Sequence, residues 1–367
     1  MGRAAESGIT TLYLASAYHA GFFLQSHNPV HKLCLVEDGS VYFHPRAEVY
    51  GSVKPAVAQI AAETDWFEAV SKRLERFSLR LSAWTVCMHN SRIGEAHPDL
   101  AVEDAFSNLH PYALCPSHPD VRRYIRALIS DLTRYSLTSI LLEAFRYLDV
   151  VHGCHHERWS IPLPPLERSL LGLSFCPTDM KAAGDVGIDS NHVRKEVKAH
   201  LERFFLSYPK LPRKFPRRQE EFDFQLPELK AYRECLVSTM DSLLSEVVTD
   251  LGSNSLDLIG QGQQEFNITC SPSHHGFAAL LRPGNDDAPR ITRRNLRLDK
   301  QAACAGRKIY ATIRLGFDAV KSCAELKRTI QTAIDAGADG LVFNNYAECP
   351  ETVFRWLAQV SPSPADH

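Results

Sequence analysis

No run of eighteen apolar residues occurs anywhere in the 367-residue chain, which argues against an ordinary membrane-spanning helix. Net charge is lacking too. The 41 Lys+Arg against 43 Asp+Glu leave −2, whereas a dedicated nucleic-acid binder carries a strongly basic domain. The ten cysteines are scattered, with none of the paired spacings that hold zinc or staple a small secreted scaffold, so they are expected to be reduced thiols in a cytoplasmic protein. The N-terminus MGRAAESGITTLYLASAY has no basic cluster followed by a long greasy core, so no signal peptide is expected. Glu6 stands where myristoylation needs Ser or Thr. Gly260-Gln-Gly262 is followed by neither a third glycine nor a Lys-Ser/Thr pair, and no Gly-x-Ser-x-Gly elbow occurs, so phosphate-loop and serine-hydrolase chemistry are not indicated.

What is present is an alternation of strands and helices. Lys308 to Phe317 is rich in β-branched and aromatic residues and reads as a strand. A helix follows, with Ser322 and Glu325 placed to cap it, Leu326, Ile330 and Ile334 at four-residue spacing, and Gly337 as its left-handed stop. Gly340 to Tyr346 is a further strand and a last helix carries Phe354, Leu357 and Val360. The middle of the chain repeats the unit: Ser117-His-Pro119-Asp120 opens a helix whose face is Val121, Tyr124, Ile125, Leu128, Ile129, Leu132 and Tyr135, and Leu137 to Leu142 is a buried strand. Strands are also expected at 11–17, 33–36, 79–87, 256–260 and 277–281, and helices at 53–77, 192–205 and 228–251. Eight strands make a single (β/α)8 TIM barrel over residues 1–367 the economical reading, with a helical and loop insertion after the fourth strand at about 151–227. In that insertion Lys210, Arg213, Lys214, Arg217 and Arg218 are followed at once by Glu220, Glu221 and Asp223, so a solvated loop with local charge pairing is expected. The cluster Arg290, Arg293, Arg294 and Arg297 is read the same way.

An acid ends the middle strand. Interior parallel strands are apolar on both faces, so Glu143 should project into the mouth at the strands' C-terminal ends, where α/β enzymes place their sites. The segment His110-Pro-Tyr-Ala-Leu-Cys115-Pro-Ser-His-Pro119-Asp-Val-Arg122-Arg-Tyr124, with Ile140-Leu-Leu-Glu143-Ala-Phe-Arg146-Tyr147 after the helix, resembles a pattern of glycoside-hydrolase-like barrel proteins. The resemblance covers about a tenth of the chain. It implies a (β/α)8 barrel acting on carbohydrate, with Glu143 as a principal catalytic residue. This chain has Glu where many such proteins have Asp, and a His-rich run directly after it.

Glycoside hydrolysis needs two carboxyl groups flanking the scissile bond. Glu143 is the first; Asp318 is the partner preferred over Asp286, Asp287 and Glu265 because it follows the better-defined strand. Aromatic faces stack on sugar rings while Asn, Arg and His bind hydroxyls. On that ground Tyr18, His19, Trp84, His89, Asn90, Arg92, Arg146, Tyr147, His152, His155, His156, Arg314, Asn345 and Tyr346 are candidate substrate-binding residues, with Asn344 beside them. Two other readings stay open: a metal-dependent barrel hydrolase or isomerase using His152, His155, His156 and Glu157, and a non-catalytic sugar-binding barrel. Neither a cofactor nor a metal is expected, and a carbohydrate is the expected partner rather than nucleic acid or membrane. Cys115, just before a helix, is expected to be structural for want of a positioned base.

Overall fold

The computed structural model describes residues 1–151, 158–252, 256–260, 278–281 and 308–360. Its centre is a nine-stranded sheet. Seven of the strands run parallel: β1 (Thr11–Tyr18), β6 (Arg80–Val86), β9 (Leu137–Glu143), β10 (Asp257–Gly260), β11 (Ala278–Leu281), β12 (Ile309–Arg314) and β13 (Gly340–Asn344), each paired with the next. On the far side of β1 lie two short strands, β4 (Ser40–Val41), antiparallel to β1, and β5 (Ala56–Val57).

Two expectations are corrected here. Residues 33–36 do not enter the central sheet: β3 (Leu33–Val36) folds back on β2 (Gly21–Leu24) as an antiparallel hairpin, because only about eight residues separate the runs and no helical crossover is available. Glu143 therefore ends the third parallel strand, not the fourth. The helix expected over 53–77 is confined to α2 (Trp66–Leu74), whose N-cap Asp65 accepts from the backbone N–H groups of Phe67 and Glu68; Pro55 and the β5 pairing hold residues 55–57 extended, and only a single 3-10 turn (Gln59–Ala61) comes between.

The other helices are α1 (Gly2–Glu6), α3 (Ser91–Ala96), α4 (Pro119–Leu132), α5 (Pro165–Leu171), α6 (Pro177–Asp185), α7 (Ser190–Ser207), α8 (Gln219–Gln225), α9 (Pro227–Leu251), α10 (Cys323–Asp335) and α11 (Glu351–Val360). A short hairpin, β7 (Ala101–Glu103) with β8 (Leu109–Leu114), precedes α4. The apolar stripe of α4 is buried as its spacing requires, and Pro119 occupies its first turn with His118 as cap. Ser322 caps α10 by accepting from the Glu325 N–H, and Gly337 follows at φ +87°. Arg122 and Arg126 of α4 tie to Glu246 and Asp250 of α9, which fastens the helices between β9 and β10 against the preceding crossover.

Side chains alternate across each strand, and the two faces of the sheet differ. Tyr13, Trp84, Leu141, Ile259, Tyr310 and Val342, from six different parallel strands, gather in one interior cluster. Residues from both flanks of the seven-strand run, β1 and β13, thus belong to one contiguous cluster on this face of the sheet. The opposite faces of β6 and β9 bury Leu81, Ala83, Ile140 and Leu142 under the helices. On the other flank, Ile313 and Leu315 pack with α10 and α11.

Candidate active site

Alternation carries the interior face upward to the C-terminal ends of the strands. Glu143 lies two residues beyond Leu141, Asn344 two beyond Val342, and Arg314 four beyond Tyr310, so all three share the face lined by the interior cluster. Glu143 is 7 % exposed. Its carboxylate accepts the indole N–H of Trp84, whose ring stands edge-on to Tyr13 with centroids 6.5 Å apart. Trp84 is therefore an inner-face residue bonded to the acid, not part of the helix layer. A charge-assisted bond of this kind fixes a carboxylate's rotamer.

The backbone just after Glu143 is unusual. Ala144 sits at φ +53°, a left-handed conformation that costs a non-glycine residue about 1 kcal/mol or more. Two bonds hold it: Cys87 N–H to the Glu143 carbonyl at 2.9 Å and Met88 N–H to the Ala144 carbonyl at 3.1 Å. The chain is thus bent sharply away while the acid stays aimed along the strand face. Beneath, burial, with the Glu143 carboxylate adding to it, pushes the Cys87 thiol far up, so that it is an inert neighbour.

Asp318, the second candidate acid, is half-exposed and forms an ion pair with Arg314 at 2.8 Å. A side chain at Gly316 would strike the Asp318 carboxylate, so glycine there lets the acid fold back to the end of β12. Tyr18, His19 and His89 form a line of rings at the ends of β1 and β6, with Tyr18–His19 and His19–His89 centroids each 4.6 Å apart. His19 Nδ1 bonds the Ala20 carbonyl at 2.8 Å. Beyond His89 come Tyr112 at 6.0 Å and His110, stacked on Tyr112 at 5.7 Å. His110 Nε2 lies 3.3 Å from Asp104, whose carboxylate also takes the Asn108 and Phe106 backbone N–H groups. Burial alone would raise the Asp104 carboxyl; the bonds from His110, Asn108 and the backbone outweigh it and hold Asp104 below its ordinary value.

Several candidates are engaged elsewhere. Asn90 is buried, caps α3 by accepting from the Ile93 N–H at 2.9 Å, and reaches the Gly39 carbonyl. Arg92 donates to the Asp38 carbonyl at 3.1 Å. Tyr147 points into the helix layer, where its hydroxyl donates to Asp179 at 2.6 Å. Asn345 bonds Glu348, and Tyr346 stacks on His27 at 5.0 Å. Arg146 is half-buried beside the Glu143 strand end. His152, His155, His156 and Glu157, with Glu265, Asp286, Asp287 and the 290–297 arginines, lie outside the described residues.

Sequence reasoning passed over two groups. The Asp104–His110–Tyr112 line straddles the start of the 110–124 segment, and the closeness of His110 to Asp104 in the sequence was the available signal. The other is a buried polar knot in which Asp179 accepts from Ser174 at 2.5 Å, Tyr147 at 2.6 Å and the Cys115 thiol at 3.4 Å, with Cys176 alongside. Both Asp179 oxygens are occupied by protein donors, and burial pushes the Cys115 thiol up and Asp179 above its ordinary value. The knot ties the β8–α4 turn to the start of α6; Cys115 is structural, as expected.

No protein-family description and no curated protein matches the chain. Solved structures do. The glycoside hydrolase domain of PgaB (BpsB) from Bordetella bronchiseptica aligns over 98% of this chain and 90% of its own, at 12% identity and TM-score 0.56. A β-galactosidase from Bacillus circulans sp. alkalophilus aligns over 98% of this chain at 11% identity and TM-score 0.57, and an α-L-fucosidase isoenzyme from Paenibacillus thiaminolyticus over 98% at 11% and 0.51. The chain spans 52% and 44% of those two longer proteins. The chain thus has a glycoside-hydrolase-like fold, a mixed α/β architecture around parallel strands.

Proposed function

We propose that this protein is a glycoside hydrolase whose parallel strands close into a (β/α)8-type barrel, and that it cleaves an O-glycosidic bond at their C-terminal mouth. The observation that carries the reading is Glu143: a buried carboxylate at the end of a central parallel strand, held by the Trp84 indole. Barrel closure is supported by contacts that join the two flanks of the sheet: Arg3 pairs with Glu351 at 2.6 Å, and Ile9 and Leu12 pack against the cluster of Ile313 and Leu315. The likeness to glycosidase folds supports the reaction class and leaves the sugar open.

In this mechanism Glu143 acts on the glycosidic bond directly and Asp318 is the second carboxyl group, held beside the mouth by Arg314. One carboxyl group protonates the leaving oxygen; the other attacks the anomeric carbon or activates the water that does. The stacked His19 and His89 rings at the ends of β1 and β6 bind sugar hydroxyls, with Arg146 and the residues His152, His155 and His156 contributing from the loop after β9. No step needs a metal, so chelator leaves the rate unchanged.

The test is hydrolysis of a panel of aryl glycosides by the wild type and by Asp318→Asn, each with and without chelator. Chelator-resistant turnover of at least one glycoside, reduced at least 100-fold in Asp318→Asn, is expected from loss of one of two essential carboxyl groups. Chelator-sensitive turnover would point instead to the histidine loop as a metal site, and binding without turnover to a sugar-binding barrel.

A further inference from the structure

The segment from the end of α7 through α8 presents a surface that the proposed reaction does not use. Residues 203–224 hold six Lys/Arg against three acids, net +3, in a chain whose total is −2. The local pairing expected for this segment forms only in part: Arg218 pairs with Glu221, and Asp223 with Arg233 of α9. Lys210, Arg213, Lys214 and Arg217 are exposed, and their side chains enter none of the ion pairs seen among the described residues. Two of the three acids are thus neutralised, while five cations, Arg203 included, face solvent.

Large apolar side chains stand among these cations. Leu206 is 87 % exposed and Phe224 88 %, with Phe205 and Tyr208 also exposed. The segment is nonetheless firmly folded. His200 of α7, bonded to Glu167 at 3.0 Å, is stacked between Phe215 and Phe222 with both centroids at 4.4 Å. Phe204 adds contacts to Tyr208 at 5.5 Å and Phe215 at 6.4 Å. This aromatic clasp gathers 204–208, 213–217 and 222–224 around one end of α7, so the cations and the exposed apolar residues occupy a single region.

A soluble polyanion would need only the cations, and a protein partner would more often meet an apolar centre with depleted lysine. Exposed Phe and Leu interleaved with unpaired Lys and Arg match the boundary between lipid headgroups and acyl chains. We propose that the α7–α8 surface docks the protein on an anionic lipid bilayer, with Leu206 and Phe224 inserted and the cations against the headgroups. This proposal departs from the sequence expectation of no membrane partner, and for peripheral binding only; no helix among the described residues is long and apolar enough to cross a membrane.

The test is co-sedimentation with vesicles of phosphatidylcholine alone and of phosphatidylcholine mixed with phosphatidylglycerol. The proteins are the wild type, Leu206→Ser with Phe224→Ser, and Lys214→Glu with Arg217→Glu, each checked for an unchanged melting temperature. Each surface cation strengthens partitioning about fivefold, so the wild type should prefer the anionic vesicles by at least tenfold and lose that preference in high salt. Both variants should lose at least tenfold. Equal binding to neutral and anionic vesicles, or none to either, overturns the proposal. So does an apolar variant that binds as the wild type does, which would mark a polyanion site, and so does concentration-dependent self-association abolished by Phe224→Ser, which would mark a contact between copies.

Discussion

Replacing Trp84 by Phe removes one donor from the Glu143 carboxylate while keeping an aromatic ring among Tyr13, Leu141, Ile259 and Val342. A hydrogen bond to a charged group contributes about 1.5–3 kcal/mol. If that bond holds Glu143 in its reactive orientation, and each 1.36 kcal/mol is tenfold in rate, kcat/KM should fall about 10- to 160-fold. Folding should suffer as well, by about 1–3 kcal/mol, because a buried acceptor is left short of a partner. The two effects separate experimentally. Urea titration followed by far-UV circular dichroism gives the folding cost, and kcat/KM on the best aryl glycoside, measured on fully folded protein, gives the catalytic one. A folded Trp84→Phe variant whose kcat/KM stays within twofold of wild type would refute the reasoning: the indole would then be a packing residue and the geometry at Glu143 would be set by something else.

Other consequences are independent of the chemistry. Asp131 has a fully buried side chain that accepts from the Arg46 backbone N–H and Nε, both at 2.8 Å, and from the Tyr50 hydroxyl; Asp131→Ala should cost about 3 kcal/mol in a urea titration, the low end for a broken buried pair because Arg46 remains partly solvated. Because Asp104 is held below its ordinary value, its stabilisation is fully present above about pH 3.9 and is lost as pH falls through the lower folded-state value. Stability measured from pH 6 to pH 2.5 should therefore fall less steeply in Asp104→Asn than in wild type. A Cβ at Gly94 would lie 1.9 Å from the Pro111 carbonyl oxygen, backbone that cannot swing aside, so Gly94→Ala should lower stability by about 3 kcal/mol, read as a shift in the thermal midpoint.

How much of this was legible beforehand depends on how local each signal is. The α10 cap at Ser322, its Gly337 stop and the apolar stripe of α4 are encoded within single turns, and all three stand where their residues place them. Glu143 was legible because an acid closing an apolar run is a contrast between neighbours. The misplaced element, 33–36, is a pairing question: Leu33-Cys-Leu-Val36 reads as a strand anywhere, and only its short distance from Gly21–Leu24 selects the hairpin. Side-chain commitments were not legible either. Asn90 caps a helix and Tyr147 bonds Asp179, 32 residues away, and nothing in the spacing distinguishes such residues from ones that face a cleft. The same holds for Lys210, Arg213, Lys214 and Arg217, two of whose three neighbouring acids, Glu221 and Asp223, are instead engaged by Arg218 and Arg233.

The central claim is that the Glu143 carboxyl group does the chemistry. It is tested most directly by the rate of Glu143→Gln on an activated aryl glycoside, with the variant's melting temperature measured alongside. Glutamine keeps the shape and still accepts the Trp84 N–H, but can neither donate a proton nor carry charge. The account predicts a folded protein whose kcat is at least about 1,000-fold below wild type. A folded Glu143→Gln variant that turns over substrate at the wild-type rate would contradict it.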